Sequence, residues 1–411
     1  MKLDTSFVRS QFNQIHDKPD FVFCSNAGGS YVANQVNNVM SHYNSHTRVQ
    51  PYERYEPSAS AGIAMDRAIT GWADALNIAE DELTIGPSTS INTYVMSHAI
   101  GSEWTENDEI IVTNQDHEAN SGVWRRKAEE KGTVIRQWNV DPLTGLLNPE
   151  DLKSLLNDKT RWVFFTHCSN IVGTTNPVQQ INSMIKANSS ARVFVDAVAY
   201  APHHICDLKK LGVDGYVFSL YKVFGPHQSL LYVNQKTTES LAPQCHYFNT
   251  AVRSKIFNPA GPQHAQVAAC AGVLDYFDDL HRHHFGESET SRSNKMIDLH
   301  QLIAEHESRL CGPILDFLSN HKNIRLIGKT HINDHDRAPT IAFKPLSTSS
   351  TELSHRIQDH NIGCENSNFY AHRLITDLGI EPEDGVVRIS LVHYATDDEV
   401  NRILTALDAS I

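Results

Sequence analysis

The chain predicts an α/β protein: a mainly parallel β-sheet sandwiched by helices, followed by a smaller α+β lobe. Two observations carry this. Between about residues 60 and 235, short apolar runs alternate with stretches of helical spacing, and the last ~90 residues mix short strands with helices. In addition, 411 residues exceed what a single small core accommodates, so a large body with a second, smaller one is expected.

Residues 62–76 place apolar side chains at helical spacing, and residues 82–85 read as a strand that ends at a Gly-Pro turn. A strand over 109–113, a helix over 121–131 and a strand over 161–166 follow. Residues 180–187 are helical, 192–198 form a valine-rich strand, and 215–220 and 229–233 are two more strands. Strands alternating with helices imply crossover connections and a sheet buried on both faces. A helix over 263–280 leads into a long polar helix over 288–318, which Gly312-Pro313 is expected to kink or interrupt. Beyond it, strands are expected at 323–327, 340–343 and 386–391, with helices at 350–360 and 397–407.

Composition excludes several function classes. A formal net charge of -13 disfavours a general affinity for nucleic acid or anionic membrane. No apolar run approaches the roughly 20 residues that span a bilayer, and the N-terminus lacks a signal-peptide pattern, so a cytoplasmic location is expected. Seven cysteines without a CxxC pair read as reduced core residues. The adjacent pairs His203–His204 and His283–His284 diverge on any regular element, so no metal site is expected.

In an open parallel sheet, ligands bind beyond the carboxyl ends of the strands, and those ends carry the chemistry here. Asp196 lies near the end of one apolar strand. Tyr221 and Lys222 follow another, between apolar flanks and a Gly225-Pro226 turn. A desolvated lysine is a nucleophile toward carbonyls, and an acid beside a pyridine nitrogen keeps that ring an electron sink. Taken alone, the two also fit an ordinary buried ion pair. Gly86-Pro87-Ser88-Thr89-Ser90 precedes a helix and suits a phosphate, although serine and threonine there also serve as plain N-caps. The segments 116–120 and 167–170 add His117 and Asn170 at two further strand ends.

The stretches DGYVFSLYKVFGP (214–226), VFVDAVAYAPH (193–203), THCSNIVGTTNPV (166–178) and VRISLVHYAT (387–396) resemble the class V aminotransferase family of fold-type I pyridoxal 5'-phosphate (PLP) enzymes, in its cysteine desulfurase-like branch. The resemblance runs from about Phe21 to the C-terminus. It implies an N-terminal segment (1–24) packing on the small domain, a large PLP-binding domain (25–285) and a small domain (286–411), assembled as a homodimer. It further implies that Lys222 carries PLP as a Schiff base and that Asp196 pairs with the pyridine nitrogen. His117 would stack on the ring and Asn170 would reach its 3'-oxygen side. Ser88, Thr89 and Ser219 would hold the phosphate, with Tyr221 standing where the family has a histidine. Arg388 would clamp the substrate carboxylate, a bidentate task that lysine cannot imitate. Asn26 and Ala27 would lie near the substrate.

Three departures bear on the reaction. Ala199 stands where desulfurases often place a glutamine. Pro262 occupies the position of a threonine that reaches the partner subunit's phosphate, leaving Gln263 or His264 to replace it. Tyr370 fills the position of the sulfur-accepting cysteine, whereas Cys364 lies on the preceding strand and reads as a small buried residue. The resemblance therefore implies a PLP enzyme acting on a small amino acid, cysteine desulfurase-like. An epimerase or a C–S or β-elimination lyase with Tyr370 as proton donor, an aminotransferase, or a non-catalytic relative of the fold are the alternatives.

Overall fold

The computed structural model describes residues 1–333 and 336–411. Its strands are, in chain order, β1 (Val22–Phe23), β2 (Leu83–Gly86), β3 (Glu109–Thr113), β4 (Val134–Trp138), β5 (Thr160–Thr166), β6 (Arg192–Asp196), β7 (Gly215–Ser219), β8 (Ser229–Val233), β9 (Ile324–Ile327), β10 (Thr340–Pro345), β11 (Ile362–Gly363), β12 (Glu365–Ser367) and β13 (Val386–Ser390). Seven of them form one sheet in the order β2-β8-β7-β6-β5-β3-β4. Within it, β4, β3, β5, β6 and β7 are parallel and β8 is antiparallel to both of its neighbours. The expected mainly parallel sheet is therefore present.

Alternation along the strands explains the unbroken apolar runs. Val163, Phe165, Val193 and Val195 face one core, with the helices Glu56–Leu76 and His264–Phe285 over it. Phe164 and Phe194 face the other core with Trp124 and Trp162. Both faces are covered, so no polar face interrupts the pattern. The strand β4 escaped the sequence reading for the complementary reason: it lies at the sheet edge, and Val134 and Arg136 face outward.

A small antiparallel sheet, β12-β13-β10-β9, follows. Its core gathers Ile341, Phe343, Val387 and Ile389 against the helix Arg292–Asn320. That helix runs through Pro313, so the expected interruption does not occur. An interior proline costs about 3 kcal/mol, whereas each fully buried Leu or Ile contributes roughly 1.5–3. Leu310, Ile314, Leu315 and Leu318 are all buried around it, and their packing outweighs the break. The first residues touch both bodies. Leu3, Val8, Phe12 and Ile15 pack in the larger core, while β1 pairs with β11 and Val22 and Cys24 join the smaller one.

Gly173 fastens the two sheets together. Its carbonyl accepts from the Ala338 amide at 2.7 Å, its φ is +72°, and a Cβ there would come within 2.3 Å of the Thr340 carbonyl oxygen. Backbone cannot yield as a flexible side chain can. Gly173→Ala is expected to cost about 2 kcal/mol or more, read as a lower midpoint in chemical denaturation.

Candidate active site

The parallel register sets the site. Thr166, Asp196 and Val217 are paired in a row across β5, β6 and β7. Gly86, Ser229 and Ser219 form a second row across β2, β8 and β7. Beyond them opens a cleft of about 710 Å³, lined by Ser88, Thr89, His117, Asn170, Asp196, Ser219, Tyr221 and Lys222 among others. A second cleft, about 850 Å³, shares His117, Asn170, Tyr221 and Lys222 and adds Ala27, Tyr370 and Arg388. Of the residues expected to contact the cofactor or substrate within one subunit, Asn26 alone lines neither.

Lys222 is buried at the end of a short 3-10 turn after β7. Burial pushes its pKa down to about 8, with the Arg388 charge adding to this and Asp196 opposing it. Asp196 is pushed up to about 6 by burial, against the Val198 amide, which donates to it at 2.8 Å, and against Lys222. Among the described residues the two feel each other through space without forming an ion pair, so the ordinary buried pair is not what these residues make. His117 Nδ1 accepts from the Ala119 amide at 3.1 Å, and burial lowers its pKa to about 4, with Lys222 and Arg388 adding. It is a neutral ring facing the cleft, 5.3 Å from the Tyr370 ring.

Arg388, on β13, reaches across from the small sheet. Its Nη1 donates to the Asn170 carbonyl at 3.0 Å, and its guanidinium lies 3.6 Å over the Phe369 ring. Its Nε is buried without a partner. Burial brings its pKa down to about 10, opposed by Glu365. The Asn170 side chain donates to the Phe369 carbonyl at 2.9 Å, so it positions the 369–370 turn as well as facing the cleft. Tyr370 is 72 % exposed with φ +60°.

At the other end, the Ser88 hydroxyl accepts from the Ile91 amide and caps the helix Thr89–Gly101. Thr89 Oγ1 lies 2.8 Å from Ser219 Oγ and 3.0 Å from Ser229 Oγ. Hydroxyls gathered at a 13-residue helix N-terminus make a cradle whose chemistry suits an anion. Sequence reasoning missed His227 here. It lines the same cleft, stacks on Tyr221 at 4.9 Å and 7°, and holds Nδ1 3.3 Å from the Pro87 carbonyl. The signal was present: the Gly225-Pro226 turn after Lys222 sends the chain back toward the cradle.

Two residues do other work. The Asn26 amide donates to the Ser390 carbonyl at 2.9 Å and to the Phe23 carbonyl at 3.2 Å, and its oxygen accepts from the Tyr394 hydroxyl. It is a buried tie rather than a cleft residue. Cys364 is 2 % exposed, and burial pushes its thiol up to about 11, so no thiolate stands there.

A match to the family model for aminotransferase class-V covers residues 22–403. The chain belongs to the class V aminotransferase family. It is 35% identical over 410 residues to the aminotransferase-like protein FGM3 of Gibberella zeae, covering 98% of this chain and 97% of that one. Its fold matches the apo cysteine desulfurase of Thermococcus onnurineus NA1 at a TM-score of 0.86 and 19% identity, over 100% and 98% of the two chains. A C-DES mutant with glycine covalently linked to its PLP cofactor matches at 0.76 and 17%, over 97% and 98%. The family's enzymes depend on PLP, and the fold is the PLP-dependent fold type I. The residues present fit that cofactor: a cradle of hydroxyls, a lysine of lowered basicity and a buried arginine with an unpartnered nitrogen share connected clefts.

The lowered basicity of Lys222 has a direct readout. In cofactor-free protein, its reductive methylation by formaldehyde, followed by peptide mass spectrometry, should rise with a midpoint near pH 8 and level off above it. An ordinary lysine would keep gaining reactivity toward pH ~10.4.

Proposed function

We propose that Lys222 holds PLP covalently and that the enzyme works at the α-carbon of an amino acid whose carboxylate is clamped by Arg388. The observation that carries this is the convergence of Lys222, Asp196, His117 and Arg388 on connected clefts at one sheet edge. PLP, when bound, supplies an electron sink for charge developing at that carbon. Asp196 is the acid for the ring nitrogen, buried where a cationic partner would hold it ionised. His117 is the neutral face against the ring. Asn170 supplies an amide at the cleft wall, and Arg388 offers its guanidinium, which lines the second cleft, toward an anion.

Ser88, Thr89 and Ser219 are assigned to the phosphate, with Tyr221 beside them. A phosphate dianion also calls for positive charge. Three lining side chains of this cleft can become cations: His117, Lys222 and His227. His117 is held neutral and Lys222 is taken by the cofactor, so His227, its Nδ1 beside the Pro87 carbonyl, is the remaining side chain assigned to the phosphate. His227→Gln should weaken PLP binding about tenfold and move the 31P resonance of the bound cofactor. An unchanged dissociation constant would remove this role.

The reaction is desulfurase-like in cofactor and fold but has Tyr370, not cysteine, on the substrate loop. Tyr370 is assigned as proton donor, on its place in the second cleft beside His117. Homodimer formation is supported by Tyr247 and Phe248, which are 96% and 82% exposed and invite a covering surface. A cytoplasmic setting is supported by cysteines that are all free.

One comparison tests the central reading. The wild-type protein should absorb near ~420 nm with PLP, and Lys222→Ala should lose the borohydride-reducible form of that band. Tyr370→Phe should keep the band while turnover falls at least ~100-fold. A wild-type protein that gains no band with PLP contradicts the assignment of Lys222; full turnover in the tyrosine variant contradicts that of Tyr370.

A further inference from the structure

The cleft that holds Arg388 does not end there. Phe23, Ser25 and Glu365 line it and also line a neighbouring cleft of about 950 Å³, which continues past Gln14, Tyr31 and Cys364. The two form one channel leading away from Lys222. Its chemistry is lopsided. Glu365 on β12 stands directly opposite Arg388 on β13, so both side chains leave the sheet on one face. Glu365 is exposed to the cleft, its charge acts on Arg388 through space, and among the described residues its carboxylate has no hydrogen bond or ion pair, so it is open to an incoming cation. Ser25 Oγ, in a residue only 5% exposed, is buried without a partner, and so is Gln14 Oε1. The Phe23 and Tyr31 rings stack at 4.7 Å along the same wall. Asp17 and Lys18 also line it and offset one another in charge.

An exposed carboxylate with no cation of the protein's own on it, beside a buried hydroxyl without a partner and two aromatic faces, forms a receptor for a cation. A carboxylate next to the carboxylate clamp would also repel a substrate with a second acidic group. We infer that Glu365 selects amino acids whose side chain ends in an ammonium or guanidinium group, which lies in the channel while the α-carboxylate meets Arg388. This rests on the proposed role of Arg388 and of the cofactor at Lys222, and deepens it by naming the substrate class.

L-Arginine and L-citrulline test it, since they match in size and shape and differ in the distal charge. Binding of each to the PLP-loaded enzyme is followed by the change it causes in the cofactor's visible absorption. The wild-type enzyme should bind L-arginine at least about tenfold more tightly than L-citrulline. In Glu365→Gln that ratio should fall to near one. Equal wild-type affinities overturn the inference, and this arm needs no variant to fold. A preference that survives in Glu365→Gln overturns the assignment of Glu365. A protein that shows no cofactor absorption at all overturns the reading of the site beneath it.

Discussion

The parallel pairing of β5, β6 and β7 is the constraint on which the rest depends. It brings the ends of strands far apart in sequence to one edge, so that Asp196 and Lys222 can face one cleft without touching. Were one strand reversed, its terminal side chain would move to the opposite edge, some five residues or about 17 Å away. The antiparallel β8 is the exception that proves useful. Its first residue, Ser229, sits level with Gly86 and Ser219, and its hydroxyl helps to fix Thr89.

Electrostatics then explains why this edge is reactive and not merely polar. Lys222 and Arg388 are both buried, which lowers the preference of each for its charged form, and the Arg388 charge lowers that of Lys222 further. Asp196 is the near anion, and it is itself held toward the neutral form by burial. Such a site is costly to build, because desolvated charge is poorly compensated. The large cores on either side of the sheet offset that cost. An incoming phosphate and carboxylate would supply the anions the protein leaves out, so binding energy and site chemistry are coupled.

Legibility in the sequence followed burial. Strands covered on both faces, such as β5 and β6, stood out as apolar runs, and the polar residues after them could be located by position alone. The edge strand β4 could not, because half of its side chains face outward. Pro313 does not interrupt its helix, because local propensity says nothing about the core that the helix face meets. His227 was missed since its place depends on how the chain returns after a turn, and Asn26 was placed at the substrate although its amide ties backbone carbonyls together. The Gly225-Pro226 turn pointed the chain back toward the cradle, but which side chain arrives there, like the partners of the Asn26 amide, is a fact of three-dimensional pairing that no spacing rule carries.

The most consequential of those pairings joins the two sheets. Arg388 belongs to the small sheet, yet the contact that orients its guanidinium is a carbonyl of the large one, Asn170. Asn170 in turn holds Phe369, the ring beneath that guanidinium, and the next residue is Tyr370. Arg388, the ring and carbonyl that support it and Tyr370 are therefore one closed circuit spanning both bodies. Loss of any member loosens the others, so a change in how the small sheet docks would move Arg388 and Tyr370 together rather than separately. Reaction type in such a fold is then set less by the shared lysine than by what the small sheet presents to it.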